Sequence, residues 1–202
     1  MTASWAESRA AFREATAWFL RTAALVDDRW SSPGLGEWDV RALVGHTSRS
    51  LLTVEAYLAR PAAAVEVESA ADYFRATSRA AVGPEVAQRG RDAGTALGED
   101  PRAALADLAA RVLVLVDGSD GSELVTTFAG GMRLSDYLPT RTFELAVHTA
   151  DLAVALDLPP DVPAAAATQA LQLVADLAVA GDRAGALLLA ATGRPGRAFS
   201  VL

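Results

Sequence analysis

Apolar residues recur at three- and four-residue spacing along most of this chain, between clusters of proline and glycine. That period restricts it to helices packed by their apolar faces. Apolar residues make up 51% of the 202, enough for a sizeable core, and alanine, the strongest helix former, is heavily used. Phe12, Ala15, Trp18, Phe19, Thr22 and Leu25 or Val26 mark a helix from Ser4 to about Asp28, followed by a loop over residues 31–36. Asp39 is the predicted N-cap of a second helix, with Trp38 before it as a hydrophobic staple. That helix carries Val40, Leu43, Val44, Leu51, Val54 and Leu58 and stops before Pro61. A third begins near Ser69, includes Tyr73 and Phe74, breaks around Gly83-Pro84 and resumes to about Leu97. Asp100 as cap and Pro101 at the first helical position open the next, which runs to about Val116.

One stretch departs from the helical period. Residues 123–128 have strand composition, and Ala129-Gly130-Gly131 turns them into Met132-Arg133-Leu134, a small hairpin. Ser135 is the predicted cap of a long helix to about Leu156, with Pro139 near its first turn. Pro159-Pro160 ends it, and two more helices follow, from about Pro163 to Ala180 and from Arg183 to Thr192. There is no internal repeat, low-complexity tail or linker, so the expectation is a mostly all-α bundle forming one domain over residues 1–202.

Composition removes several function classes. With no cysteine there is no disulfide, no thiolate metal site and no cysteine nucleophile, so any thiol chemistry needs an external thiol. A net charge of -7 without a basic stripe argues against nucleic acid as a partner. No long uncharged apolar run predicts a membrane span, and the first seven residues do not resemble a secretory signal. A cytoplasmic protein is expected. Gly34-Leu35-Gly36 lacks the flanking elements of a phosphate loop, there is no Gly-x-Ser-x-Gly elbow, and Ser122 and Ser135 have no local base.

The chain has two histidines, His46 and His148, each within a predicted helix. Glu144 precedes His148 by four residues, so the two stack on one helix face. Two readings fit. They form an ordinary ion pair, or they close on one metal ion with His46 arriving from another helix. The second gives three protein ligands and an open position, the pattern of a catalytic zinc site. Phe143, Leu145, Val147, Leu152 and Val154 flank the pair, which suggests a central helix where a charge needs a partner. His46 also reads as a core histidine bonded to a backbone carbonyl or to Ser50. Asp151 is placed either to hold the His148 imidazole in one tautomer or to pair with an arginine. The arginines at 49, 75, 79, 133 and 141 suit bidentate carboxylate recognition or a solvated surface.

Two blocks carry a family resemblance. Gly36-Glu37-Trp38-Asp39-Val40-Arg41-Ala42-Leu43-Val44-Gly45-His46 and Arg141-Thr142-Phe143-Glu144-Leu145-Ala146-Val147-His148-Thr149-Ala150-Asp151-Leu152 resemble the mycothiol-dependent maleylpyruvate isomerase family, part of the DinB-like superfamily of metal-binding helical bundles. The segment at 187–194 resembles the close of that family's helical domain. The resemblance implies a DinB-like four-helix bundle with extra short helices and a small β-hairpin. It implies a divalent metal, usually zinc, on His46, Glu144 and His148, with Asp151 matching the acid after the second histidine. It also implies mycothiol, a thiol of actinobacteria, as cofactor, with Arg75 matching a functional arginine and Arg49 and Arg141 as further cofactor-binding candidates. The family's extra C-terminal α/β domain has no counterpart in the sequence, so maleylpyruvate is expected to be a poor substrate or none.

The function expected is therefore a metal-dependent thiol enzyme, an S-transferase or isomerase acting on a small electrophile, as a monomer or homodimer. Catalytic help from Arg75 and Asp151 belongs to that reading. Two other functions remain open at this point. One is a non-catalytic protein binding a metal or small ligand on the same bundle, and the other is a stress-related helical protein with a structural or vestigial metal.

Overall fold

The computed structural model describes residues 3–78, 84–196 and 198–202. The order of elements is α1 (Trp5–Ala23), a 3-10 turn (Arg29–Ser31), α2 (Val40–Leu58), α3 (Ala70–Thr77), α4 (Pro84–Ala96), α5 (Pro101–Asp117), β1 (Leu124–Thr127), β2 (Gly130–Arg133), α6 (Leu134–Ala155), α7 (Ala164–Ala180) and α8 (Ala184–Ala191). The protein is mostly helical with one two-stranded antiparallel sheet, in which Leu124 faces Arg133 and Thr127 faces Gly130. Gly83, half of the expected break at Gly83-Pro84, and Arg79 lie outside the described residues.

Local capping explains several helix starts. The Asp39 carboxylate accepts from the Ala42 amide at 2.7 Å, Asp100 from Ala103 at 3.0 Å, and the Ser69 hydroxyl from Asp72 at 3.1 Å. Each satisfies an amide that the helix itself leaves unpaired. The long helix α6 begins differently from its predicted start. Ser135 does not cap it; the helix starts at Leu134, and Arg133 at the cap position makes no side-chain cap bond. Instead the Leu134 amide donates to the Glu123 carbonyl at 2.8 Å and the Ser135 amide to that of Gly121 at 3.0 Å. The loop before the hairpin thus does the capping, and Pro139 falls in the second turn rather than the first. Helix α1 is also shorter than its apolar pattern suggests. It stops at Ala23, and Asp27 adopts a left-handed conformation before the 3-10 turn.

The bundle is built around α6, which packs on α1, α2, α3 and α7, while α5 lies against α1 and α2 and α4 runs along α2. Phe12, Phe19, Leu43, Leu51, Leu138, Leu145 and Leu152 form a continuous buried core. The surround expected for Glu144 and His148 is partial: Phe143, Leu145 and Leu152 are buried, whereas Val147 and Val154 are exposed. The α2–α4 contact is a backbone contact. A Cβ on Gly45 would lie 2.1 Å from the Gly94 amide nitrogen, so only glycine lets the helices approach there. Gly45 directly precedes His46. The hairpin ties down the segment joining α2 to α3, through the Ala62 amide on the Leu124 carbonyl (2.9 Å) and the Gly131 amide on the Glu66 carboxylate (2.7 Å).

Candidate metal centre

Helices α2 and α6 bring His46, Glu144 and His148 together. One ligand-capable atom from each lies within 4.8 Å of the other two, and all three residues are half-buried. Along α6, His148 is held from both sides. Its Nε2 lies 3.1 Å from the Glu144 carboxylate one turn earlier, and its Nδ1 lies 3.1 Å from the Asp151 carboxylate three residues later. The His46 ring meets the His148 ring edge-on, with centroids 4.7 Å apart.

Trp38 fixes the second face of His46. Its ring stacks on the imidazole at 4.4 Å, and its Nε1–H donates to the Ala87 carbonyl of α4 at 3.0 Å. The residue read from sequence as a staple thus supports the imidazole and anchors it to α4. The core-histidine reading of His46 asked for a bond to a carbonyl or to Ser50. Neither is present among the described residues, where the His46 Nδ1 is buried with no hydrogen-bond partner.

The electrostatics follow from burial and from this pairing. Burial, followed by the charge on His148, depresses the His46 pKa to about 4, so the ring is neutral and its lone pair free at neutral pH. Burial also opposes charge on His148, but its hydrogen bonds to Asp151 and Glu144 outweigh it and raise the pKa to about 9. Burial would raise Glu144, but the His148 hydrogen bond and the Arg141 charge bring its carboxyl down to about 2. An imidazolium thus sits between two carboxylates, where a divalent cation would replace its proton.

The residues fit such an ion. Two imidazoles and one carboxylate are zinc ligands, and donors around a tetrahedral zinc stand about 3.4 Å apart given bonds of about 2.1 Å. The Glu144–His148 separation of 3.1 Å is close to that, and His46 offers a nitrogen with no other engagement. The Asp151 contact on Nδ1 leaves Nε2 as the His148 nitrogen that faces Glu144 and would be open to an ion.

Among the arginines singled out from sequence, Arg141 is buried on α6 and donates from Nε to the Thr140 hydroxyl at 2.9 Å. Arg49 is half-buried on α2 and, like Arg141, lowers the His46 pKa through its charge. Arg75 is exposed on α3 and pairs with Asp72 at 3.3 Å, with no contact to the cluster among the described residues. Arg133 pairs with Asp136 at 3.8 Å. One feature escaped sequence reasoning. All three tyrosines of the chain, Tyr57, Tyr73 and Tyr137, gather at Arg141, whose guanidinium lies 5.3 Å from the Tyr73 ring and 5.0 Å from that of Tyr137. Tyr57 completes the group against Tyr137 at 5.3 Å. They come from three different helices, so no spacing along the chain signals them.

A family model described as the mycothiol maleylpyruvate isomerase N-terminal domain matches residues 10–153. That span runs from within α1 through nearly all of α6, and takes in all three members of the His/Glu/His group. Comparison with curated proteins and with solved structures gave no match. With most of its length matched and the helical bundle in place, the chain belongs to the mycothiol maleylpyruvate isomerase N-terminal domain family.

Proposed function

We propose that this protein is a metal-dependent thiol enzyme, a mycothiol-using S-transferase or isomerase acting on a small electrophile, with zinc on His46, Glu144 and His148. The observation that carries the reading is the convergence of those three side chains around a buried, unpartnered His46 nitrogen. Family membership supports mycothiol as the thiol, and the cysteine-free sequence agrees with an external one. When bound there, the metal supplies acidity to a thiol reaching its free position, generating the nucleophile near neutral pH. The remaining work belongs to the chain. Asp151 keeps the His148 proton on Nδ1, Trp38 holds the His46 ring, and Arg49 and Arg141 supply positive charge for an acidic ligand group. The reading assigns the cytoplasm, where small thiols stay reduced. No helix among the described residues is long and apolar enough to cross a membrane.

The test has two stages. Protein purified without chelator should carry about one zinc per chain, with bonds of about 2.0–2.2 Å in a crystal structure. His46→Ala or His148→Ala should lose the metal while circular dichroism stays helical, and full occupancy in either variant would count against the site. The loaded protein should then form a thioether or an isomerised product from mycothiol and a panel of electrophiles, and Glu144→Gln should lower that activity. Full loading with no product from a broad panel would favour a non-catalytic binding protein.

A further inference from the structure

Helix α8 is apolar on every side, yet none of its eight residues is buried. A helix without a polar face belongs in a protein interior or an interface. It packs on α7, and the segment after it turns back along it. The Arg194 amide donates to the Leu189 carbonyl at 2.9 Å, and the Arg183 guanidinium, just before α8, donates to the Ser200 carbonyl. Val201 packs against the core, whereas Phe199 and Leu202 stay exposed. So do Val179 near the end of α7 and, on α8, Leu189 and Leu188, the last at 65%. The total surface is large to match. A compact monomer of this mass exposes about 9,000 Å², and this chain exposes 10605 Å². The surplus of roughly 1,600 Å² is about twice what one partner buries in a standard interface.

We infer that α8, the end of α7 and the segment after α8 form a docking surface for a second copy of this chain. Charge selects that occupant. Each copy carries a net charge of -7, so two copies repel over most of their surfaces. Residues 164–191 hold only three charged side chains, Asp176, Asp182 and Arg183, so close approach costs least there. The same net charge opposes docking on an anionic lipid surface. A two-fold axis also makes this face complementary to itself. In an antiparallel α8 pair centred on Leu188, Asp182 and Arg194 lie equally far along the chain from the centre. Asp182 of each copy then meets Arg194 of the other. Neither side chain has an ion pair among the described residues, while Arg183 is engaged by Ser200. The inference is independent of the metal reading, because the His/Glu/His group lies on α2 and α6.

Sedimentation velocity of the full chain, with and without chelator, should show a monomer–dimer equilibrium with a dissociation constant of about 10 μM or tighter. A chain still monomeric at roughly ten times that concentration overturns the proposal. Leu188→Glu places a charge at the centre of the face and should weaken dimerisation about a hundredfold or more. Helix content should stay unchanged, because Leu188 is exposed in the single chain. A dimer that this variant leaves intact is built on another surface, and the proposal falls. Asp182→Arg and Arg194→Asp should each weaken self-association about tenfold or more by setting like charges together. An equimolar mixture of the two should dimerise again, since each supplies the sign that the other has lost. That mixture decides the matter even where Leu188→Glu does not fold. Charge variants that associate like the wild type, or a mixture that stays monomeric, overturn the pairing of two copies through α8. Binding to phosphatidylglycerol vesicles without self-association overturns it in favour of a lipid surface.

Discussion

His148 carries the strongest coupling between geometry and chemistry in the protein. Asp151 on Nδ1 and Glu144 at Nε2 raise its pKa to about 9, while His46 opposite is held at about 4. A metal ion bound as proposed would meet one ligand already neutral and one that must release a proton. Between about pH 5 and 9, each metal bound should liberate close to one proton, and affinity should rise about tenfold per pH unit before levelling off. Calorimetry in buffers of different ionisation enthalpy measures that proton directly, and zero release would mean that His148 is not a ligand. In the metal-free protein the sign is opposite. A raised histidine pKa adds stability that is fully present below about 6.5 and is lost as pH rises through about 9. Asp151→Asn removes the charge that makes Nε2 a good donor, and should weaken metal binding about ten- to a hundredfold in chelator competition, with helix content unchanged. Unaltered affinity would reduce Asp151 to a surface acid. Much of this was legible in the chain, because Glu144 and His148 fall four apart and Asp151 three beyond, separations that one helix turns into contacts. The ring of tyrosines about Arg141 was not, since Tyr57, Tyr73 and Tyr137 arrive from α2, α3 and α6 and meet only through tertiary packing.

At the scale of elements, His46 depends on a crossing that its own helix does not control. Gly45 lets the backbone of α2 touch that of α4 at Gly94, and α4 in turn offers the Ala87 carbonyl that anchors Trp38 against the imidazole. Gly45→Ala would drive a methyl group into a backbone atom, which cannot yield as a flexible side chain does. We expect a loss of about 1–3 kcal/mol in denaturant unfolding, together with weaker metal retention as His46 loses its support. Wild-type stability and affinity in that variant would show the contact to be slack. Caps followed the same division between local and distant causes. Asp39, Ser69 and Asp100 announce their helices because each bonds an amide three residues on. The cap of α6 lies two residues before the predicted Ser135, because its first amides are met by the carbonyls of Gly121 and Glu123, across the hairpin.

For the whole molecule, the His/Glu/His group brings α2 and α6 together, and α6 is the helix on which α1, α3 and α7 also pack. An ion bound there acts on the bundle as a cross-link absent from the unfolded chain. At zinc a hundredfold above its dissociation constant, linkage adds about 2.7 kcal/mol. For a chain of this size that corresponds to a rise of about 5–10 °C in Tm. The protein also carries 25 acidic side chains and a net charge of -7, so weak surface binding of a divalent cation is a competing source of stabilisation. Calcium and zinc separate the two, since carboxylate surfaces take calcium readily whereas two imidazoles favour zinc. We expect zinc, and not calcium, to raise Tm in the wild type. His46→Ala should abolish the rise, because the remaining pair lies on one helix and a metal on it no longer joins two. An equal rise in that variant would place the stabilising ion elsewhere on the acidic surface and remove the physical basis for a centre between α2 and α6.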